Sequence, residues 1–499
     1  MAADSRVARR TQNATTPTRG ARQRGADART AVRPHAQAAA PRQGTAAARS
    51  AALGNIAKNA GAISRKSSER RRERHELRRT AAEFGGVAWL RSCGHKVCRP
   101  EGVGVRGGSG APAGFAGLAT CGSVWACPVC SARIGAARSS SLGDLLTWAT
   151  TSGHTVAMLT LTARHHRGQR LADLWSSLSD AWRFLGRGWG SETEAAFVKR
   201  VEKNQAAWDD YFAGLRRKPR KTPDELTRRI GLLEELGSLG YVRAAEVTHG
   251  KSGWHVHYHC VLVLDSTKLP HGLEDRDDRL ADAQSRIFAL WEKGLARNGL
   301  TAVETVTEAD GSTASVGADL RIMHGSEVAN VLGTYLTKST DAVAASRDEA
   351  NRIAAETTLG ALKKGRRSSR TPFQILADIT EIGDADDADL WREWVAASRG
   401  RVQLVWSNGL AELAKVADAE KTDDEIVAEE IGTEDLFRLP ADTWHAIRAT
   451  STRFDLLEAI ERGGRDAGTA LLESLGLHWT PLDANGVSIE RDLPDEVSE

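Results

Sequence analysis

The stretch Gly253 to Leu264, GWHVHYHCVLVL, alternates in a way that predicts a strand. Side chains in an extended chain point to opposite faces in turn, so His255, His257, His259, Val261 and Val263 share one face. Trp254, Val256, Tyr258, Cys260, Leu262 and Leu264 share the other, which is apolar from end to end, as packing beneath a helix requires. Upstream, Tyr241 to His249 reads as a second strand, turned back by Gly250-Lys251-Ser252-Gly253. A symmetric turn sets Glu246 directly opposite His257 on the same face.

Other segments complete an α+β pattern. Thr155 to His166 is β-rich, with Thr160 and Thr162 on one face. Leu171, Leu174, Trp175, Leu178, Trp182 and Leu185 follow a helical period and predict a helix packed on a sheet. Residues 278–297 read as a helix and 318–324 as a strand. Residues 326–340 read as a helix capped by Ser326, with Glu327 in its first turn. The expected fold is an antiparallel sheet with flanking helices over residues 141–345. Within it, 192–238 form a charged helical insertion whose RRKPRK run at 216–221 ordinarily makes a solvated face. Beyond it, 346–499 read as a mainly helical C-terminal region of unassigned role, its tryptophans most simply core.

Charge changes the picture at the N-terminus. The chain of 499 residues carries a formal +3, but residues 1–80 hold 19 Lys and Arg against 5 Asp and Glu, leaving −11 for the rest. This basic stretch has almost no large apolar residue before Leu77 and is expected to be a disordered tail, either a sequence-independent tether to nucleic acid or a solvated extension. Within it, Ser68 to Arg79 is a segment that could become helical on a polyanion. No stretch approaches the roughly 20 apolar residues of a membrane span. With no apolar signal-peptide core, a cytoplasmic protein with no membrane partner is expected.

Five of six cysteines fall between residues 93 and 130. Cys121, Cys127 and Cys130 give C-x5-C-x2-C, and the C-x2-C around Pro128 is a zinc knuckle in a reducing compartment. Cys93 or Cys98 supplies the fourth thiolate. Cys93 is preferred, because Cys93-Gly94 and Cys121-Gly122 look like matching halves. A full set of thiolates makes the zinc structural and 81–140 a Cys-rich zinc-binding segment. The row of imidazoles opposite Glu246 forms the second candidate site. His257, His259 and Glu246 suit Mg, Mn or a later first-row divalent ion, with positions open to substrate oxygens. The helix after the knuckle presents Arg133 and Arg138, which with Thr160 and Thr162 are candidates for DNA contacts.

Taken together, LTLT (Leu159 to Thr162), HYH (His257 to His259) and YLTK (Tyr335 to Lys338), in that order, resemble rolling-circle plasmid replication initiators (Rep proteins) of the HUH endonuclease superfamily. WACPVC, PFQIL and WSNGL are similar to its actinobacterial branch, so the resemblance covers about residues 90–420. It implies a HUH endonuclease domain at 141–345 and a metal-dependent nickase. A tyrosine would attack the scissile phosphate of origin DNA, single-stranded at the nick, become linked to the 5′ phosphate and release a 3′-OH primer. Host helicase and DNA polymerase are the implied partners. Of four tyrosines, Tyr258 points away from its flanking histidines, Tyr241 opens the paired strand and Tyr211 sits in the insertion. Only Tyr335 lies on a separate helix with a cation, Lys338, one turn away. A departure stands four residues before it, where some initiators carry a glutamate that helps end the cycle and this chain has Val331. Competing readings are a transposase or conjugative relaxase of the same superfamily, and a zinc-dependent DNA-binding regulator without chemistry. The last leaves the Glu246, His257 and His259 convergence unexplained.

Overall fold

The computed structural model describes residues 68–483 and 486–489, apart from 110, 271, 308–310, 324–368 and 430–433. These residues lie within one compact unit. Tyr335 and Lys338, the helix predicted to carry them, and residues 1–67 fall outside the described residues.

The chain enters through a helix at 68–84, whose Leu77, Ala81 and Ala82 are buried. Ser68 to Arg79, read from sequence as part of a disordered tail, is therefore folded. Its polyanion is internal: Arg71 pairs with Glu461 and Arg72 with Asp455 at 2.7 Å, both on the helix Thr452–Ser474. Strands β1 (Val103–Gly108) and β2 (Ala111–Ala116) follow, and the helix Pro128–Thr151 leaves the cysteine knuckle with Cys127 as its N-cap. The main sheet comprises β3 (Thr155–Thr162), β4 (Ser238–Gly250), β5 (Gly253–Leu264) and, after the short hairpin β6 (Thr305–Thr307) and β7 (Thr313–Ser315), β8 (Ala318–Ile322) and β9 (Leu404–Trp406). All of its pairings are antiparallel and its order is β8-β3-β5-β4-β9, which puts the histidine strand at the centre.

Each face of that sheet is covered for the reason its side chains dictate. Trp254, Val256, Tyr258, Leu262 and Leu264 pack, with Leu159 and Leu161, beneath the helices Leu171–Trp189 and Leu273–Ala296. On the other face Val261 and Val263 lie under Leu142, Leu145 and Leu146 of the helix Pro128–Thr151.

The C-terminal region is helical over Pro372–Ile382, Ala385–Ser398 and Thr452–Ser474, yet it also lends strands to both larger sheets. Its β9 covers the edge of β4, while β10 (Glu434–Leu439) pairs with β1 and with β11 (Thr480–Pro481). A half-buried carboxylate ties this region to the core. Glu393 accepts from Leu171 N at 2.7 Å and from Trp254 Nε1 at 2.8 Å, fixing the start of one helix and the start of β5 together.

Candidate active site

The turn at Gly250 to Gly253 is symmetric, so Glu246 lies across from His257, as the alternation predicts. Thr162 flanks His257 on the other side, and the next row reads Ala244, His259, Thr160, Asp319. Directly opposed residues share a face, so this row brings in Asp319, which the sequence reading passed over. The signal was available in ADLRI, where Ala318 and Leu320 are buried and Asp319 alternates to the histidine side.

Glu246 Oε2 stands 3.0 Å from His257 Nε2 and 3.1 Å from His259 Nε2, with all three side chains largely buried. The hydroxyl of Thr160 lies 3.2 Å from His259 Nδ1. A proton held at Nδ1 by that hydroxyl leaves Nε2 as a lone pair aimed at a carboxylate. Lone pairs converging at this distance repel unless a cation or a proton lies between them. Two imidazoles and one carboxylate are a fitting donor set for a divalent ion, and these three residues could hold one. Thr162 turns its hydroxyl to the carbonyl of Val316.

His255 continues the row toward the turn. Its Nε2 is buried without a hydrogen-bond partner, and its ring lies 4.7 Å from that of His165 and 4.9 Å from that of His257. Burial pushes its pKa down to about 3, with His257 and His165 adding repulsion. None of the three described tyrosines lies on this face. The Tyr258 hydroxyl meets Ser179 at 3.2 Å beneath the opposite face, Tyr241 packs on Trp182 and Trp189, and Tyr211 sits on the helix Glu194–Phe212.

The cysteine cluster gathers Cys93 rather than Cys98. Cys93 Sγ lies 3.6 Å from Cys130 Sγ and 3.8 Å from Cys127 Sγ, and Cys121 Sγ lies 3.6 Å from Cys130 Sγ. These four could hold zinc, whereas Cys98 is exposed and turned to the carbonyl of Lys96. Hydrogen bonds from Cys121, Cys127 and Cys130 push the Cys93 thiol well down, while burial pushes Cys127 up. The arginines beyond the knuckle are engaged within the fold. Arg133 donates to the carbonyl of Glu429, and Arg138 pairs with Asp423 and donates to Gln403 at 3.2 Å.

Over most of its length the chain has a named relative. It is 26% identical over 374 residues to "Protein rep" of Streptomyces lividans, an alignment spanning 70% of this chain and 76% of that protein. The chain is similar to a Rep protein. It is also 32% identical over 154 residues to "Neomycin resistance protein" of Streptomyces cyanogenus, 30% of this chain and 31% of that one. No family model and no solved structure matches. Among the described residues no helix is long and apolar enough to cross a membrane.

Proposed function

We propose that this chain initiates rolling-circle replication of a plasmid by nicking one strand of the origin through a phosphotyrosyl intermediate. The observation that carries this reading is the convergence of Glu246, His257 and His259 on one face of a rigid central strand, with Thr160 holding His259. The relative named rep supports the replication role, and the order of LTLT, HYH and YLTK supports the HUH class.

A divalent ion held by these three residues would neutralise charge on a non-bridging oxygen of the scissile phosphate. The chain's own part is to orient and to attack. The sheet fixes both imidazoles, and their largely buried setting limits water at the phosphate. Tyr335 supplies the nucleophile: its phenolate oxygen bonds to phosphorus, the bond from phosphorus to O3′ breaks, and O3′ leaves to become the protonated primer end. Lys338, one turn away on the same side of the predicted helix, favours the phenolate. The phosphodiester energy is kept in the tyrosyl ester for later rejoining. The four cysteines, with zinc, would hold the start of the helix Pro128–Thr151.

The test uses single-stranded origin DNA with Mg or Mn. Tyr335→Phe should bind DNA and metal nearly normally yet form no denaturation-resistant adduct and cut nothing. His257→Ala should bind DNA and also fail to cut. Nicking by Tyr335→Phe without an adduct would make water the nucleophile, and an adduct on another residue would move the assignment.

A further inference from the structure

The insertion carries an aromatic elbow with an exposed tip. Trp208, Tyr211 and Phe212, in the last turn of the helix Glu194–Phe212, have ring centroids 5.4 to 5.6 Å apart. The chain then turns at Gly214, with φ +74°, and Trp208 Nε1 donates to the carbonyl of Lys221 at 2.9 Å, so the loop folds back over the helix end. Lys218 Nζ stands 5.7 Å from the centre of the Trp208 ring. Phe212 is 77% and Leu215 79% exposed, among the most exposed large apolar side chains of the described residues. Around them Arg216, Arg217, Lys218, Arg220 and Lys221 are all exposed, against the carboxylates of Asp209 and Asp210.

A basic run alone makes a solvated face. A run wrapped around an uncovered ring, Phe212, behaves differently, because water gains nothing from the ring. A strand of unpaired nucleotides matches both parts: each base offers a face to stack, and each phosphate a charge to neutralise. A membrane surface fits less well. An interfacial helix needs an apolar face along its length, and in the insertion the two most exposed large apolar side chains, Phe212 and Leu215, lie at the last turn and loop.

We propose that this elbow is a platform for single-stranded DNA, with Phe212 as the stacking face and the five cations of 216–221 tracking the phosphates. The inference deepens the proposed function by naming a surface that holds unpaired strand, and it is tested apart from cleavage. Full-length protein is titrated into fluorescein-labelled oligothymidylate without divalent metal, and anisotropy is read. Phe212→Ala with Leu215→Ala should weaken binding about tenfold, within the range for one stacked base, and leave binding to a blunt duplex of equal length unchanged. Phe212→Tyr should restore it. Replacing the five cations by Gln should flatten the salt dependence by about 0.7 in slope for each phosphate that is no longer neutralised. Unchanged single-strand affinity in both variants would overturn the proposal. So would equal weakening on duplex, or weakening only of binding to phosphatidylserine vesicles. His257→Ala should keep full oligothymidylate binding while losing nicking, so failure of the platform and failure of the nickase are distinct results.

Discussion

Thr160 decides which nitrogen of His259 faces Glu246. With its hydroxyl 3.2 Å from Nδ1, it holds the ring in the orientation that presents Nε2. Partners of this kind typically set metal affinity by 10- to 100-fold, roughly. Thr160→Val keeps the shape and the strand propensity but removes the hydroxyl. It should weaken Mn binding by about tenfold or more, read by titration calorimetry, while the thermal midpoint stays nearly unchanged. An unaltered affinity would make Thr160 a packing residue only. A second residue-scale contrast concerns zinc. Cys93→Ser takes one sulfur from a cluster with Sγ separations of 3.6 to 3.8 Å, whereas Cys98→Ser changes an exposed thiol. The first should lose the zinc equivalent and solubility, because metal binding to thiolates is coupled to folding. The second should retain both, as metal analysis of the purified variants would show.

At the scale of elements, Glu393 joins three pieces of chain. Its two oxygens accept from the first residue of the helix Leu171–Trp189 and from the indole of Trp254 at the start of β5. Hydrogen bonds to a charged group contribute about 1.5 to 3 kcal/mol, and removing this carboxylate strands two donors. Glu393→Ala should therefore lower unfolding free energy by about 2 to 4 kcal/mol in urea titrations, with a smaller effect for Glu393→Gln, which keeps one acceptor. Such long-range ties are what the sequence conceals. The β4-β5 hairpin is legible because strict alternation and a symmetric turn determine its register locally. The helices Leu171–Trp189 and Leu273–Ala296 are legible because they are long and periodic. β9 is not, since three residues carry no period and its partner lies far back in the chain. Pairing of β10 with β1 likewise depends on residues more than three hundred positions apart. Spacing alone does not separate Cys93 from Cys98, because the burial of one thiol and the exposure of the other depend on tertiary packing.

The whole molecule joins a basic N-terminal part to an acidic remainder. Residues 1–67 carry much of the excess positive charge, so deleting them should weaken DNA binding at low salt and flatten its salt dependence without moving the cleavage position. An unaltered slope would reduce the segment to a spacer. The helix at 68–84 instead turns Arg71 and Arg72 to Glu461 and Asp455 and seats His75 against Phe454, ring centroids 5.0 Å apart. Burial pushes the His75 pKa well below 6.5, with Arg78, Arg453, Arg74 and His95 adding repulsion. His95, beside Arg78 at 2.9 Å, is lowered to about 4 by burial first and by Arg78 second. Below pH 6.5 the unfolded chain thus binds protons that the folded chain does not. The stabilisation is present in full above that value and is lost as pH falls toward the lowered folded values. This clamp between the helix at 68–84 and the helix Thr452–Ser474 should weaken on mild acidification, seen as a falling urea midpoint and as faster tryptic cleavage within 68–84. His75→Phe keeps a ring on Phe454 and removes one titrating site, so it should reduce the acid sensitivity while leaving stability at pH 7.5 to 8 similar or higher. A variant as acid-sensitive as the parent would show that His75 does not set the response.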